Sequence, residues 1–398
     1  MRVAIVADVY PPLRSSGAVQ LRDLSREFVR QGHETTMLVA TPDLDAPYHI
    51  EDADGVTVAR LKSPKTKDVN YVRRMAGEFL MPFAMMRNLR RSPLADRPYD
   101  AVVWYSPTIF LGPIVRWLKC RSNAPSYLII RDIFPQWAAD MGLISRGPAF
   151  QLLDQVANYQ YRSADVIGVQ TPGNFAFFDR FRAKHPGCRL EVLQNWLADA
   201  PDRGSSIDVA AGKLAGRRIF VYAGNMGVAQ QMDKLLDLAV ALSARDDIGF
   251  LFVGRGSEAQ RLRTIAAERC PNNSLFVDEI HPDEIPGLYR QCHVGMISLD
   301  SRHQTHNIPG KFLTYMQAGL PVLASINSGN DLQAMVEARG VGRVSVEPDG
   351  RDLPDLTASM IDQEIADETL GAKCRSLSDE LFSARAAVAQ IVAAMQVR

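Results

Sequence analysis

The chain has 398 residues, 46% of them hydrophobic, and its 45 Lys and Arg are balanced by 45 Asp and Glu. This length exceeds one ordinary core and predicts two domains of about 150–200 residues each, while the even charge balance gives no global argument for nucleic acid. The five cysteines (Cys120, Cys188, Cys270, Cys292 and Cys374) are scattered and odd in number, which argues against a disulfide or zinc framework and for a reducing compartment.

The first residues, MRVAIVADVY, read as a strand rather than a signal peptide. No run of 18 apolar residues is present to span a bilayer. A cytoplasmic protein is expected. Residues 3–7 (VAIVA) are short, apolar and β-branched, the pattern of a buried parallel strand. A Pro- and Ser-rich loop and an amphipathic helix over 18–30 follow, with Gly32 as its stop. Residues 35–40 form the next strand, which completes a βαβ unit. Residues 56–61, 101–105, 127–130 and 166–170 are further strands, with helices predicted over 70–91, 109–118 and 149–162.

The neutral total hides one asymmetry. Residues 62–97 carry nine Lys or Arg against three acids. Basic residues flank Phe and Met there on a predicted helix, which suits the surface of an anionic bilayer. A core-facing helix with a solvated basic side fits the same pattern.

Residues 198–216 are small, polar and aperiodic, as expected of an inter-domain linker or surface excursion. A second cycle of strands then begins: 219–223, 249–253, 274–277, 294–297, 321–324 and 343–346. Helices alternate with them, and a long final helical stretch is predicted over 368–394. Both halves therefore predict α/β folding: two tandem doubly wound parallel-sheet domains, Rossmann-like, facing across a cleft, with boundaries at 1–199 and 200–379 and a C-terminal helix over about 380–398 that packs back on the first.

Ligands of such sheets collect beyond the C-terminal strand ends, and several motifs fall there. Gly17 follows the first strand at a helix start, where backbone can approach a phosphate. Gly224, Asn225, Met226 and Gly227 follow the first strand of the second half and can form a backbone nest for an anion. Arg255 lies between two glycines at the next strand end and can act as a fork donor; Glu258, at the following helix start, suits capping. Arg131 and Asp132 directly follow the strand over 127–130, either as catalytic groups or as a structural ion pair.

The most informative stretch is 300–324, DSRHQTHNIPGKFLTYMQAGLPVLA. A basic loop with Arg302, His303 and His306 leads through Asn307, Ile308, Pro309, Gly310 and Lys311 into an apolar helix. A helix start carries unpaired N–H groups that seat anions, and Lys311 adds a full charge. The two histidines lack partners for a zinc set, and no metal is expected.

Together, the glycine loops, the Val253-Gly254-Arg255-Gly256 turn and the Pro309-Gly310-Lys311-Phe312 helix start before YMQAGLPV resemble the GT-B glycosyltransferases, specifically the retaining enzymes of family 4. The segments RDIFPQWAADMGLI and THNIPGKFLTYMQAGLPVLA are most similar to the bacterial N-acetyl-L-fucosamine transferases of O-antigen and capsule assembly. The resemblance implies a UDP-sugar donor on the second domain, a polyprenyl-diphosphate-linked sugar acceptor on the first, and peripheral attachment to the inner face of the cytoplasmic membrane. It also implies donor contacts from Gly17, the 224–227 loop, Arg255, Glu258, His306 to Lys311 and Thr314, and catalytic roles for Asp132, Arg131 and Lys311. The family's paired glutamates fall here on His306 and Thr314, and its Arg and Lys near the second glycine loop fall on Asn225 and roughly Gln231. These departures shift weight onto Lys311, Arg255, Arg131 and Arg302, and they keep open a silent nucleotide-binding scaffold or a nucleotide-sugar epimerase on the same fold.

Overall fold

The computed structural model describes the backbone of every residue except Arg14, Asp68, Met141 and residues 199–202, 301–307, 364–366 and 397–398, and leaves out the side chains of Tyr71, Ala229 and Gln363. The chain forms two compact units: Met1–Trp196 with Ala384–Arg398, and Leu197–Ser383.

In chain order the first unit contains β1 (Arg2–Ala7), α1 (Ser16–Arg30), β2 (Glu34–Thr41), β3 (Tyr48–Ala53), β4 (Val56–Lys62), α2 (Tyr71–Leu89), β5 (Ala101–Ser106), α3 (Gly112–Ser122), β6 (Ser126–Ile130), α4 (Gln136–Asp140), α5 (Pro148–Arg162), β7 (Val166–Val169), α6 (Asp179–Lys184) and β8 (Arg189–Val192). The second contains β9 (Arg218–Ala223), α7 (Asp233–Ala241), β10 (Ile248–Val253), α8 (Ala259–Arg269), β11 (Ser274–Val277), α9 (Ile285–Tyr289), β12 (Val294–Ser298), α10 (Gly310–Ala318), β13 (Val322–Ser325), α11 (Asp331–Arg339), β14 (Gly342–Ser345), α12 (Leu353–Gln363) and α13 (Leu370–Leu381). The last helix, α14 (Ala384–Gln396), belongs to the first unit.

The first sheet runs β3-β4-β2-β1-β5-β6-β7-β8, and the second runs β11-β10-β9-β12-β13-β14. All pairings are parallel except β3 with β4. The central strands are apolar throughout because helices cover both faces; every residue of β5 and of β10 is buried. In each sheet the strand order reverses beside the first strand, β1 or β9. A crevice at the C-terminal strand ends is expected at that reversal, which places Asp8 and Gly224 directly at the two reversal points.

Two expectations need correction, and one strand escapes the apolar pattern. Residues 48–53 are half-exposed and polar, so they lack a buried-strand pattern, yet they form the antiparallel edge of a hairpin. The signal was the turn: Asp54 and Gly55 both have positive φ, 58° and 81°, as an Asp-Gly hairpin requires. The expected linker is not a bare connector. Val209 and Leu214 are buried in the second unit's core, and Gln291 clasps the segment by donating to Ile207 O at 2.9 Å and accepting from Val209 N at 2.9 Å. The predicted long C-terminal helix breaks between α13 and α14, where the chain leaves one unit for the other.

Helix α14 buries Ala387, Val388, Ile391 and Met395 in a cluster with Leu21, Leu24 and Phe28 of α1. Gln390 fixes its register by donating to Glu191 Oε1 and to Val192 O, both at 2.8 Å. Ile391→Ala removes a fully buried side chain and should cost about 2–5 kcal/mol, read as a lower urea midpoint with an unchanged slope.

Candidate functional site

In the second unit, the loop after β9 is built by glycines that permit close approach. Gly224 (φ 137°) and Gly254 (φ 145°) adopt backbone conformations that side chains resist. A Cβ on Gly254 would collide with the backbone of Gly224, and one on Gly256 with that of Met226. The loops after β9 and β10 therefore lie backbone to backbone. Gly224 N donates to Val253 O and Met226 N to Arg255 O, both at 2.8 Å.

This arrangement corrects the nest reading of Gly224, Asn225, Met226 and Gly227. Gly227 N donates to Gln230 Oε1 at 3.0 Å, and Asn225 Nδ2 donates to the same oxygen at 3.0 Å. With Gly224, Met226 and Gly227 all donating to protein acceptors, the loop backbone does not present a ready anion cradle. Gln230 was invisible to the sequence reading because nothing in its spacing announces a side chain folding back onto its own turn.

The charge at this place comes instead from Lys311. Its Nζ lies 4.6 Å from the centroid of the Tyr222 ring, a cation–π contact. The space a Cβ would fill on Gly224 is taken by Lys311: the ideal position lies 2.9 Å from Cε and 3.0 Å from Nζ. Tyr222 is fully buried and donates its hydroxyl to Asn225 O at 2.6 Å, so the ring that carries the ammonium also fastens the loop. Desolvation by burial lowers the Lys311 ammonium to about 8. Gly224 is thus needed chiefly to let a lysine pass.

Lys311 is the second residue of α10, nine residues long. Pro309 stands at the cap position and makes no side-chain cap; Phe312 N donates to Pro309 O at 2.9 Å, and the amides of Gly310 and Lys311 are at a helix start, where an anion can sit. Ile308 is buried beneath this start, and Gly310 has open space where a side chain would be. Thr314 donates its hydroxyl to Lys311 O at 2.9 Å, so its remaining capacity is as an acceptor. His306 and Asn307, with Arg302 and His303, lie outside the described residues.

Arg255 is 80% exposed and pairs with Glu279 at 3.0 Å, a surface ion pair of small energetic weight. Glu258 precedes α8 but its carboxylate does not cap it; it accepts from Arg261 Nε at 2.7 Å. Arg261 also donates twice to Asp233, at 2.8 Å each, so the expected capping role is replaced by a carboxylate–arginine bridge. Among the described residues, no group of three or more His, Cys, Asp or Glu is placed to hold a metal ion.

In the first unit, Gly17 sits in the first turn of α1 rather than in the preceding loop. A Cβ there would lie 3.2 Å from the Tyr105 ring. Arg131 is buried, 4.4 Å from the Trp196 ring centroid and 5.8 Å from that of Tyr105. It donates from Nη1 to Leu193 O at 3.3 Å, and its own carbonyl accepts from Gln170 Nε2 at 2.6 Å. A relay of amides continues from there: Asn195 donates to Gln170, Gln20 to Asn195, and Tyr105 to Gln20, at 2.9, 3.1 and 2.9 Å. This enclosure makes Arg131 a positioning residue that fixes the strand ends. Asp132, next in the chain, is exposed on the wall of a cavity of about 250 Å³ shared with Asp8, Phe134 and Trp137. Desolvation raises its carboxyl, opposed by the charge of Arg131.

Residues 17–196 match the family described as glycosyl transferase 4-like domain, and residues 217–363 match glycosyl transferases group 1. The chain is 26% identical to a Pseudomonas aeruginosa protein named as glycosyltransferase WbjE, over 64% of each chain and so just under two thirds of that relative's length. It is 23% identical to the Escherichia coli K12 protein WcaI, named for glycosyl transfer in colanic acid biosynthesis, over 88% of this chain and 89% of that one. Among solved structures, Anabaena HepE in complex with UDP and glucose superposes with a TM-score of 0.67 at 13% identity, over the full length of both.

Because Lys311 titrates near 8, an anion bound against it is held best while the ammonium is intact. Affinity for inorganic diphosphate, measured by calorimetry, should fall as pH rises above 8, by up to about tenfold per unit. Lys311→Met should weaken binding at pH 7 and flatten this pH dependence.

Proposed function

We propose that the chain is a retaining GT-B glycosyltransferase of family 4, which transfers N-acetyl-L-fucosamine, or a related N-acetylated deoxyhexosamine, from a UDP-sugar to a polyprenyl-diphosphate-linked sugar in bacterial surface-polysaccharide assembly; the two matched glycosyl transferase families support the reading. The observation that carries this reading is the buried ammonium of Lys311 at the uncapped start of α10. A cation and a helix start at one point are what a departing diphosphate requires.

In this mechanism the bond between the sugar's anomeric carbon and the diphosphate oxygen breaks, and its electron pair stays on the phosphate. The acceptor hydroxyl forms the new bond on the same face, and its proton passes to the departing phosphate, so no protein base is required. Lys311 and the α10 amides stabilise the developing charge without a metal ion, and Thr314 accepts a ribose hydroxyl in place of a glutamate. Asp132 orients the acceptor. Support for the sugar class comes from the two segments that resemble N-acetyl-L-fucosamine transferases, and for the pathway from the colanic acid relative.

A polyprenyl acceptor requires the enzyme to reach a bilayer, and α2 offers the means. Met81, Met85 and Leu89 face the core, whereas Val72, Phe79, Leu80 and Phe83 are exposed by 76, 57, 52 and 46%. Arg73 and Arg87 neighbour this exposed stripe along α2, and Arg90 and Arg91 follow the helix end. That is the composition of a helix lying in an anionic interface. Among the described residues, no helix is long and apolar enough to cross a membrane.

A screen of UDP- and GDP-sugars for thermal stabilisation tests the donor. UDP-sugars should raise the melting temperature, with about 2.7 kcal/mol expected at a hundredfold excess over Kd, and turnover should survive chelation of divalent metals. Absence of stabilisation by every nucleotide sugar would contradict the proposal. The membrane contact is tested separately by flotation with vesicles containing anionic lipid: Phe79→Ser with Phe83→Ser should reduce co-flotation at least several-fold and leave UDP stabilisation unchanged.

A further inference from the structure

Lys234 is a buried cation with no part in the mechanism above. It is the second residue of α7, as Lys311 is of α10. It is 5% exposed, and its Nζ meets no hydrogen-bond acceptor among the described residues. A cation at a helix start faces the positive end of the helix dipole, and a buried charge without a close partner is costly. Burial accordingly lowers the titration point of this ammonium, and the charges of Asp300 and Asp349 oppose the fall.

The start of α7 is tied to the strand that borders β9. β12 pairs with β9 in parallel, with Gly295 opposite Val221, and counting on along both strands brings Ser298 level with Gly224. Ser298 Oγ donates to Gln231 O at 3.2 Å, and Lys234 N donates to the same carbonyl at 3.3 Å. One acceptor therefore joins the end of β12 to the start of α7. Asp300, two residues beyond Ser298, is 6% exposed and so stands buried just past the level of Gly224, the glycine that admits Lys311. On its other side Lys234 lies against the approach to α12: a Cβ on Gly350 would stand 3.6 Å from Lys234 Cβ, and Asp349 precedes that glycine.

A carboxylate buried near a diphosphate seat opposes the ligand, and the opposition is strong where water is scarce. We propose that Lys234 is a positioning residue for donor binding: its ammonium offsets the charges of Asp300 and Asp349, so that a nucleoside diphosphate is held at Lys311 without repulsion from the end of β12. The inference rests on the UDP-sugar reading of this site and adds to it a residue that never touches the ligand. Removing the cation alone leaves buried carboxylates uncompensated, whereas removing Lys234 together with Asp300 takes away the cation and one of the charges it offsets.

The test is a double-mutant cycle on UDP affinity, read by calorimetry on the full chain at pH 7, with thermal melting of each variant. Lys234→Met should weaken UDP binding at least about tenfold, and adding Asp300→Asn should return it to within about threefold of the wild type. Asp300→Asn alone should bind UDP more tightly than the wild type. A lysine that merely supports the fold would give a loss that Asp300→Asn does not reverse. That result, or unchanged UDP affinity in folded Lys234→Met, overturns the proposal. Weaker binding by Asp300→Asn alone would make that carboxylate a ligand of the donor and overturn it as well. If Lys234→Met fails to fold, the double variant decides by the same threefold limit, and if that fails too, Asp300→Asn decides. A wild type that binds no UDP contradicts the donor reading itself.

Discussion

A lysine ammonium held against a tyrosine ring is the constraint around which the second unit's ligand end is arranged. Lys311 needs room, and Gly224 gives it by having no Cβ. It needs a surface that tolerates charge away from water, and the Tyr222 ring offers one. Tyr222 in turn fastens the loop through Asn225 O, and Gly254 and Gly256 let the neighbouring loop close against it. A substitution at any of these positions disturbs the placement of one charge. The lowered titration point of Lys311 is the energetic mark of that placement, since the ammonium is partly desolvated before any anion arrives.

The two units apply the same topology to different chemistry. Each sheet reverses its strand order beside its first strand, and each places its distinctive group one residue beyond that strand. In the second unit this is Gly224, which admits a cation. In the first it is Asp8, a carboxylate beside an aromatic-walled cavity. In the first unit Arg131 acts indirectly: stacked on Trp196 and tied to Leu193 and Gln170, it holds the strand ends from which Asp132 projects.

The fold was legible because apolar strands and amphipathic helices alternate without ambiguity, as VAIVA before Asp8 and IFVYA before Gly224 show. Lys311 was legible because a Pro-Gly-Lys start to an apolar helix has a physical meaning wherever it occurs. What the sequence did not reveal depends on contacts between distant residues. The hydrogen bonds that occupy the Gly224, Met226 and Gly227 amides go to Val253, Arg255 and the turned-back Gln230. That the buried Lys234 Nζ meets no hydrogen-bond acceptor among the described residues is a property of its neighbours and not of its own position in the chain. The hairpin strand β3 was missed for a simpler reason: its half-exposed residues carry no core pattern, and only the Asp-Gly turn announced it.

The titration of Lys311 itself is the most direct test of this account. With the lysines reductively methylated using a ¹³C label, and the Lys311 resonance assigned by its loss in Lys311→Arg, the ligand-free protein should show a midpoint near 8, well below that of the other lysines. Saturation with UDP should move that midpoint upward by at least a unit, because a bound diphosphate stabilises the ammonium. A Lys311 midpoint that stays put when UDP binds would contradict the claim that this side chain holds the diphosphate.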